Sequence, residues 1–261
     1  MQLDSATALV TGANRGIGRA LVQRLADRPL RLILAGVRDP DSFEPVQGRA
    51  EVRPVRMDLS GRSAIDACVD ELGDEFAAVD LLVNNAGQMT GGLLEEQDME
   101  AVYAMFQVNM LAVAHLTHRA LPAMLARDHG KVVNNASISG YAYFPGATTY
   151  AATKAGVVAL SESLRRELRT TGVSVLTVIT PGVNTDMLAA TEEVYGRHMD
   201  TSRWDKVEPD EWAAKVVQAI DADDNELSPG GKTGLAKLAS RGPTALMDAF
   251  SSRAFSRQPR P

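Results

Sequence analysis

Short apolar runs alternate along the chain with longer stretches in which apolar residues recur every three or four positions. The short runs are typical of buried strands, and the longer period is typical of helices. The predicted strands cover residues 7–11, 31–36, 51–57, 80–84, 131–135 and 174–179. This alternation predicts an α/β fold, a doubly wound parallel sheet of about seven strands with helices on both faces.

Composition and charge narrow the class of protein. The 261 residues are 45% hydrophobic and 23% charged, as in ordinary globular proteins, and we expect one domain over residues 1–261. The net charge of −6 disfavours a nucleic-acid partner or an anionic membrane surface. The sequence contains no long apolar span and no signal-peptide pattern, and Cys68 is its only cysteine. These features predict a cytoplasmic protein without a membrane span.

A glycine-rich turn follows the first predicted strand. Gly12, Gly16 and Gly18 lie between this strand and a helix predicted over residues 17–25. Glycines let the backbone approach a pyrophosphate closely, and the helix N-terminus offers free N–H groups to the anion. The spacing Gly-x-x-x-Gly-x-Gly therefore favours a dinucleotide site, although a glycine turn without a ligand is the alternative.

Polar or glycine residues also follow three later strands. Residues 84–87 read Asn-Asn-Ala-Gly, Ser137 ends the strand at 131–135, and Pro181-Gly182 ends the strand at 174–179. Ligands of open parallel sheets bind beyond the carboxyl ends of the strands. The coincidence of these clusters predicts one site at that edge.

Tyr150 and Lys154 carry the candidate chemistry. They are four residues apart in a helical stretch, so their side chains lie on one face. A cation beside a phenol favours the phenolate, and we expect Lys154 to lower the pKa of Tyr150. Such a tyrosine is a general acid and base usable near neutral pH.

In these features the sequence resembles the short-chain dehydrogenase/reductase family, over residues 6–187. The matching elements are Thr11-Gly12-x-x-x-Gly16-x-Gly18, Asp58, Asn84-Asn85-Ala86-Gly87, Asn109, Ser137, Tyr150-x-x-x-Lys154 and Pro181-Gly182 with Thr185. The resemblance implies a Rossmann fold and hydride transfer between a nicotinamide cofactor and a carbonyl or alcohol.

The resemblance also implies roles for individual residues. Tyr150 exchanges the proton, Ser137 hydrogen-bonds the reacting oxygen, Lys154 also binds the nicotinamide ribose, and Asn109 holds a water that links Lys154 to solvent. Ser139 is an alternative to Ser137, but its spacing to Tyr150 is eleven residues rather than thirteen. The implied cofactor-binding residues are Gly12, Asn14, Arg15, Gly16, Ile17, Gly18, Arg38, Asp58, Leu59, Asn85, Ala86, Gly87, Tyr150, Lys154, Pro181, Gly182, Val183 and Thr185.

The end of the second strand favours NADP(H) over NAD(H). An acidic residue there would bind the ribose hydroxyls and repel a 2′-phosphate, but the spacing places Gly36 at this position. Arg38 and Arg15 lie nearby, and an arginine offers a planar donor fork to phosphate. Asp39 is the contrary observation, because it could bind ribose. Asp58 could hold the adenine amino group, or cap the helix that follows it, or do both.

We therefore expect an NADP(H)-dependent oxidoreductase that interconverts a carbonyl and an alcohol. A non-catalytic NADP(H)-binding regulatory or interaction protein on the same fold is the alternative, and a dehydratase or epimerase is a third reading. The expected substrate is apolar, because the candidate lining residues are Met89, Tyr141, Tyr143, Phe144, Met187 and Leu188.

Three further expectations concern the rest of the chain. The resemblance implies a substrate lid over residues 186–207 and a homodimer or homotetramer. Residues 208–211 begin a predicted helix, and residues 229–261 form a tail that departs from the family and is expected to pack as a helix on the body. His115 and His118 lack further ligands at suitable spacing, so no metal is expected.

Overall fold

A computed structural model describes residues 3–198 and 206–230. Its strands are β1 (Thr7–Thr11), β2 (Leu32–Val37), β3 (Glu51–Arg56), β4 (Leu81–Asn84), β5 (Gly130–Asn135), β6 (Val173–Val178), β7 (Gly182–Val183), β8 (Lys206–Val207) and β9 (Glu226–Leu227). Its α-helices are α1 (Gly16–Ala26), α2 (Arg62–Leu72), α3 (Asp74–Ala77), α4 (Met99–Phe106), α5 (Ala112–Ala126), α6 (Thr148–Glu167), α7 (Asp186–Gly196) and α8 (Pro209–Asp221).

Seven strands form one parallel sheet in the order β3-β2-β1-β4-β5-β6-β9. From β1 the chain moves outward through β2 and β3, and it then returns to add β4 on the other side of β1. The strand order thus reverses between β1 and β4. A crevice at such a point, beyond the carboxyl ends of the strands, is where open parallel sheets bind ligands.

Alternate residues of each strand face two separate apolar cores. Val10, Ile33 and Val83 lie in the core beneath α1 and α8, whereas Leu9 and Leu34 lie in the core beneath α2, α5 and α6. All five side chains have 0–1% of their surface exposed. Strands that are buried on both faces explain why the sequence shows unbroken apolar runs rather than alternation.

The sequence-based predictions of fold and strands are confirmed, with one addition. Each of the six predicted strands is present within one residue of its expected bounds. The seventh strand, β9, was not predicted, because it has only two residues and its parallel pairing with β6 (Thr177 opposite Glu226) is a tertiary feature. The helix predicted after Glu208 is α8, which begins with Pro209 and has Asp210 and Glu211 in its first turn.

Two of the predicted segments reach beyond the described residues. Of the expected lid, the structure describes α7 and β8 but not residues 199–205. Of the expected tail, residues 231–261 lie outside the described part, and so does the tail helix predicted there. Within residues 3–198 and 206–230, no helix is both long and apolar enough to cross a membrane.

Candidate active site

The glycine turn after β1 is a cradle that side chains would fill. Gly12 and Gly16 adopt φ angles of +66° and +55°, which favour glycine. A Cβ on Gly12 would lie 2.9 Å from the Cα of Ala86, and a Cβ on Gly18 would collide with the carbonyl oxygen of Gly12. Arg15, the N-cap of α1, makes no side-chain capping hydrogen bond. The turn therefore fits a pyrophosphate held by the N–H groups of α1.

Thr11 fastens the end of β4 to this turn. Its hydroxyl oxygen accepts hydrogen bonds from the backbone N–H groups of Asn85 and Ala86, both at 3.0 Å. The amide of Asn85 donates to the carbonyl oxygen of Thr11, also at 3.0 Å. The predicted cofactor residues of β1 and β4 are thus held together. The role of Thr11 was not predicted, although its place at the head of the glycine motif was the available signal.

The segment after β6 passes over the same turn. A Cβ on Gly16 would lie 3.2 Å from the side-chain methyl group of Thr185, so the two residues are in contact. Thr185 is the N-cap of α7, where its hydroxyl accepts a hydrogen bond from the N–H of Leu188 at 3.3 Å. Pro181, Gly182 and Val183 are therefore brought to the edge that holds the glycine turn, as the sequence predicted.

Helix α6 places Tyr150 and Lys154 at this edge of the sheet. The Lys154 Nζ lies 5.8 Å from the centre of the Tyr150 ring and donates to the carbonyl oxygen of Asn135 at 2.8 Å. Ser137, which follows β5, has its side chain close enough to the Tyr150 phenol to act on the pKa of Tyr150. The hydroxyl oxygen of Ser137 also accepts the N–H of Ser139 at 3.2 Å. It is Ser137, at the predicted spacing, that the fold brings to Tyr150.

The ionisation of this pair differs from the expectation. Burial raises the pKa of Tyr150, and the side chain of Ser137 only opposes that rise. Burial also lowers the pKa of Lys154 to about 8. The prediction that Lys154 lowers the pKa of Tyr150 is therefore wrong for this structure, because desolvation penalises both charged forms. At neutral pH the Tyr150 phenol therefore carries its proton.

Asn109 clamps the segment after Gly87 onto α6. It lies in a π-helical turn, Gln107–Leu111, between α4 and α5, and it is fully buried. Its amide group exchanges two hydrogen bonds of 2.8 Å with the backbone of Gln88 and donates to the Thr153 hydroxyl at 3.2 Å. π-turns are rare and frequently occur at functional sites. The water predicted on Asn109 stays a prediction.

A chain of side-chain hydrogen bonds links α8 to the strand ends that form the site. Trp212 donates from Nε1 to the hydroxyl of Thr180 at 3.2 Å, and Thr180 donates to the side-chain oxygen of Asn135. The Asn135 amide then donates to the side-chain oxygen of Asn85 at 3.0 Å. These bonds join α8 to the ends of three strands beneath the site.

Asp58, Arg38 and Asp39 are the residues at which the sequence predicts the adenosine part of the cofactor. A hydrogen bond from the backbone N–H of Ser60 at 3.0 Å lowers the pKa of Asp58, and the charge of Arg38 acts in the same direction. The ionised form of Asp58 is therefore favoured. Asp39 accepts the N–H of Asp41 at 3.2 Å and so caps the turn after β2. Arg38 is exposed.

The remaining cofactor candidates lie around the same crevice. Ile17 packs against the core beneath α1, whereas Asn14 and Arg15 are exposed beside it. Leu59 is buried, and its carbonyl oxygen accepts the Gln107 side-chain amide at 3.2 Å. A Cβ on Gly87 would lie 3.9 Å from the Lys154 Nζ, so this segment borders the lysine.

The residues expected to line the substrate pocket do not form one group. Met89 and Phe144 pack together with Ala147 and Tyr195. Tyr141 instead packs against the Val157 cluster and donates to Glu226 at 3.4 Å. The remaining candidates are Tyr143 and Met187, which are exposed, and Leu188, which is half-buried. Tyr195 was not predicted.

The two histidines considered from the sequence lie on α5. The His115 Nε2 lies 3.0 Å from Oδ1 of Asp66, which also accepts a hydrogen bond from Arg119 at 2.6 Å. Among the described residues, no group of three or more His, Cys, Asp or Glu side chains has an arrangement that could hold a metal ion.

Comparison with known proteins identifies the family. The family model described as short chain dehydrogenase matches residues 6–196. The chain is 32% identical over 195 residues to 3-oxoacyl-[acyl-carrier-protein] reductase of Vibrio cholerae, covering 73% of this chain and 78% of that protein. The chain belongs to the short-chain dehydrogenase family.

Solved structures agree with this assignment. A short chain dehydrogenase from Burkholderia cenocepacia in complex with NADP matches with a TM-score of 0.81 and 26% identity, covering 96% of this chain and 99% of that one. A short chain dehydrogenase/reductase from Burkholderia phymatum in complex with NAD matches with a TM-score of 0.75 and 26% identity, covering 96% of both chains. The family and the fold support an oxidoreductase that uses a nicotinamide dinucleotide.

Proposed function

We propose that the chain is an NADP(H)-dependent oxidoreductase that interconverts a ketone or aldehyde and an alcohol, with Tyr150 as the general acid and base. The observation that carries the proposal is the contact between Tyr150 and Ser137, made at the same sheet edge as the glycine turn. Lys154 lies on the same face of α6. The relative in Vibrio cholerae, named as a 3-oxoacyl reductase, supports carbonyl reduction.

The residues of the site would divide the work as follows. When bound, NADPH would supply the hydride that the carbonyl carbon accepts. Ser137 donates a hydrogen bond to the carbonyl oxygen and stabilises the negative charge that develops there. Tyr150 gives its phenolic proton to that oxygen, and its raised pKa keeps this proton in place at neutral pH. In oxidation the same phenol must first lose its proton, so the site favours reduction at neutral pH.

The cofactor groups would be held along the crevice. The N–H groups at the start of α1 would bind the pyrophosphate, and Asp58 would accept from the adenine amino group. Lys154 would reach the nicotinamide ribose, while Val183 and Thr185 would hold the carboxamide. Arg38 would bind the 2′-phosphate, because Asp39 turns its carboxylate to the backbone of Asp41.

The central experiment compares wild type with Tyr150→Phe in a panel of carbonyl compounds, with NADPH consumption as the readout. We expect the variant to bind NADPH normally and to lose about 100-fold or more in turnover, since it lacks the proton donor. Tyr103→Phe, which removes an exposed hydroxyl from α4, is the matched control and should keep full activity. Undiminished turnover by Tyr150→Phe would refute the role of Tyr150.

The same panel tests the alternative function. A non-catalytic NADP(H)-binding protein would bind NADPH in both forms and consume none with any carbonyl. The contact between Ser137 and Tyr150 favours the enzyme, because a binding protein needs no paired hydroxyls beside the cofactor.

The preference for NADP(H) is tested by Arg38→Ala. Loss of a charge-assisted contact to the 2′-phosphate should raise KM for NADPH about 10- to 100-fold and leave KM for NADH nearly unchanged. Asp39→Asn serves as the control, and it should alter neither value strongly. A wild-type enzyme that prefers NADH would contradict the assignment of Arg38.

Two further features belong to this proposal. Residues 186–207 would form the substrate lid, of which α7 already contacts the crevice through Thr185. The molecule would assemble as a homodimer through α4 and the π-turn, where Met99, Tyr103 and Leu111 expose 50%, 68% and 54% of their surface.

A further inference from the structure

Tyr195 is the one large side chain that α7 buries against the body of the protein among the residues described for that helix. It lies in the last turn of α7 and is only 4% exposed. Its ring packs against Met89, Phe144 and Ala147. Ala147 immediately precedes α6, the helix that carries Tyr150. The ring thus closes the space between the lid helix and the segment that leads into the catalytic helix.

Two glycines form the slot that admits this ring. A Cβ on Gly91 would lie 2.7 Å from Cε1 of Tyr195 and 2.8 Å from its hydroxyl oxygen. A Cβ on Gly146 would lie 3.2 Å from the ring atoms Cδ1 and Cε1. The N–H of Gly92 donates to the carbonyl oxygen of Gly146 at 2.9 Å, which holds the two walls together. The ring position therefore depends on the missing side chains of both glycines.

The slot is fixed relative to the catalytic residues. Gln97 donates to the carbonyl oxygen of Gly92 at 3.1 Å and accepts the hydroxyl of Thr149 at 2.6 Å, next to Tyr150 in sequence. Burial raises the pKa of Tyr195, and the charge of an ionised Tyr150 acts in the same direction. The slot is therefore anchored to the residue that precedes Tyr150.

We infer that Tyr195 is a specificity-determining residue, whose ring in the slot of Gly91 and Gly146 limits the substrate beside Tyr150 to compact carbonyl compounds. The inference rests on the proposed carbonyl reduction and adds the size of the substrate. Neither the apolar residues predicted to line the substrate pocket nor the family assignment indicates this limit on substrate size.

Two ketones of different size test the limit on substrate size. 4-Phenylcyclohexanone has one phenyl ring more than cyclohexanone, and the Tyr195→Ala substitution removes a ring of about that size. Wild type should favour cyclohexanone. In Tyr195→Ala the ratio of kcat/KM for the phenyl ketone to that for cyclohexanone should rise about tenfold or more, since a new apolar ring can be buried. Tyr195→Phe keeps the ring and should keep the wild-type ratio. A ratio in Tyr195→Ala within twofold of wild type would overturn the inference.

A second measurement separates this inference from the proposed function. Gly91→Ala should displace the ring and lower Tm by about 3–10 °C in the wild-type background. In the Tyr195→Ala background Gly91→Ala should lower Tm by less than half as much. The two nearest approaches, both to Tyr195, are then gone, and the third, of 3.0 Å to the carbonyl oxygen of Gly146, remains. Equal decreases in Tm in both backgrounds would show that the Tyr195 ring does not occupy the slot of Gly91 and Gly146. The two Tm losses can differ as expected while neither ketone is reduced or bound with NADPH. In that case the proposed carbonyl reduction is contradicted, whereas the position of the Tyr195 ring in the slot is confirmed.

Discussion

Lys154 shows how burial controls the chemistry of single residues. Its side chain is 5% exposed, and its Nζ donates to the carbonyl oxygen of Asn135. Burial lowers its pKa from 10.5 to about 8. Between these values the unfolded chain binds a proton that the folded chain does not, so the free energy of unfolding rises with pH in this interval. Below pH 8 the buried ammonium lowers stability, by about 3 kcal/mol for this shift.

This cost leads to a stability prediction for Lys154→Met. The variant should be about 1–3 kcal/mol more stable than wild type at pH 7, because a buried cation is replaced by an apolar chain of similar length while one hydrogen bond is lost. The gain should shrink from pH 8 to pH 10, because folded wild-type Lys154 is neutral in this interval and the protein no longer buries its charge. Urea unfolding at both pH values gives the two differences.

Lys215→Met is the control for this experiment. Lys215 is 46% exposed and pairs with Glu211 on the surface of α8, so its replacement should change stability little at either pH. A stability gap for Lys154→Met that does not depend on pH would contradict the assigned burial. Activity should fall in the same variant, which would make Lys154 a residue kept at the expense of stability.

At the scale of elements, a buried cation also fixes the corner between α8 and β9. Lys131 at the start of β5 is fully buried, and its Nζ donates to Asp223 at 2.6 Å and to the carbonyl oxygen of Asp224 at 3.2 Å. Ser174 at the start of β6 donates to the same carboxylate at 2.9 Å. Burial alone would raise the pKa of Asp223, but the bonds from Lys131 and Ser174 lower it. Three elements thus meet at one carboxylate.

Asp223→Asn tests the importance of this corner. The substitution leaves the Lys131 ammonium without its counter-charge, and we expect a loss of about 1–3 kcal/mol in the free energy of unfolding. Asn tolerates the φ of +56° at this position, so the backbone should not contribute. Asp224→Asn is the control, because Lys131 meets only its carbonyl oxygen. Equal effects of the two substitutions in denaturant titrations would rule out the charge pair as the cause.

These elements show where sequence-based prediction succeeds and where it stops. The strand that ends at Thr11 and the glycine turn were predictable, because burial on both faces and tight turns leave local patterns. The pair β6–β9 was not, since two residues carry no periodicity. The direction of the pKa shift on Tyr150 depends on its burial, which the spacing to Lys154 does not specify.

The slot around Tyr195 was equally hidden from the sequence. Gly91, Gly146 and Tyr195 are far apart in the chain, and only the folded arrangement brings them into contact. The bond between Asn135 and Asn85 has the same origin, because β4 and β5 place the two amides side by side. Sequence motifs thus predicted residues that the fold brings together at one sheet edge, whereas the contacts that shape and support this edge required the tertiary structure.

At the scale of the whole molecule, three large apolar side chains are exposed along one helical segment. Met99 and Tyr103 are four residues apart on α4, and Leu111 ends the π-turn that continues this helix. In a π-turn each residue rotates the chain about the helix axis by a smaller angle than in an α-helix. Leu111 therefore lies nearer the side of the helix that carries Met99 and Tyr103 than it would in a continuous α-helix. All three side chains are half or more exposed. Asn109 lies inside the same π-turn, so the surface and the active site share one element.

The proposed homodimer predicts that charge on this surface separates the protomers. Tyr103→Glu combined with Leu111→Glu would place carboxylates in an apolar contact, where their desolvation is costly, and sedimentation velocity should show a shift from dimer to monomer. Leu125→Glu on α5 is the control, since Leu125 is 41% exposed but lies away from Met99 and Tyr103 along the helix. A wild-type monomer, or a double variant that stays dimeric, would contradict the assigned face.

The same variants should also differ in activity. Because Asn109 in the same π-turn hydrogen-bonds both Gln88 and Thr153 of α6, the monomeric variant should have a lower kcat, whereas Leu125→Glu should not.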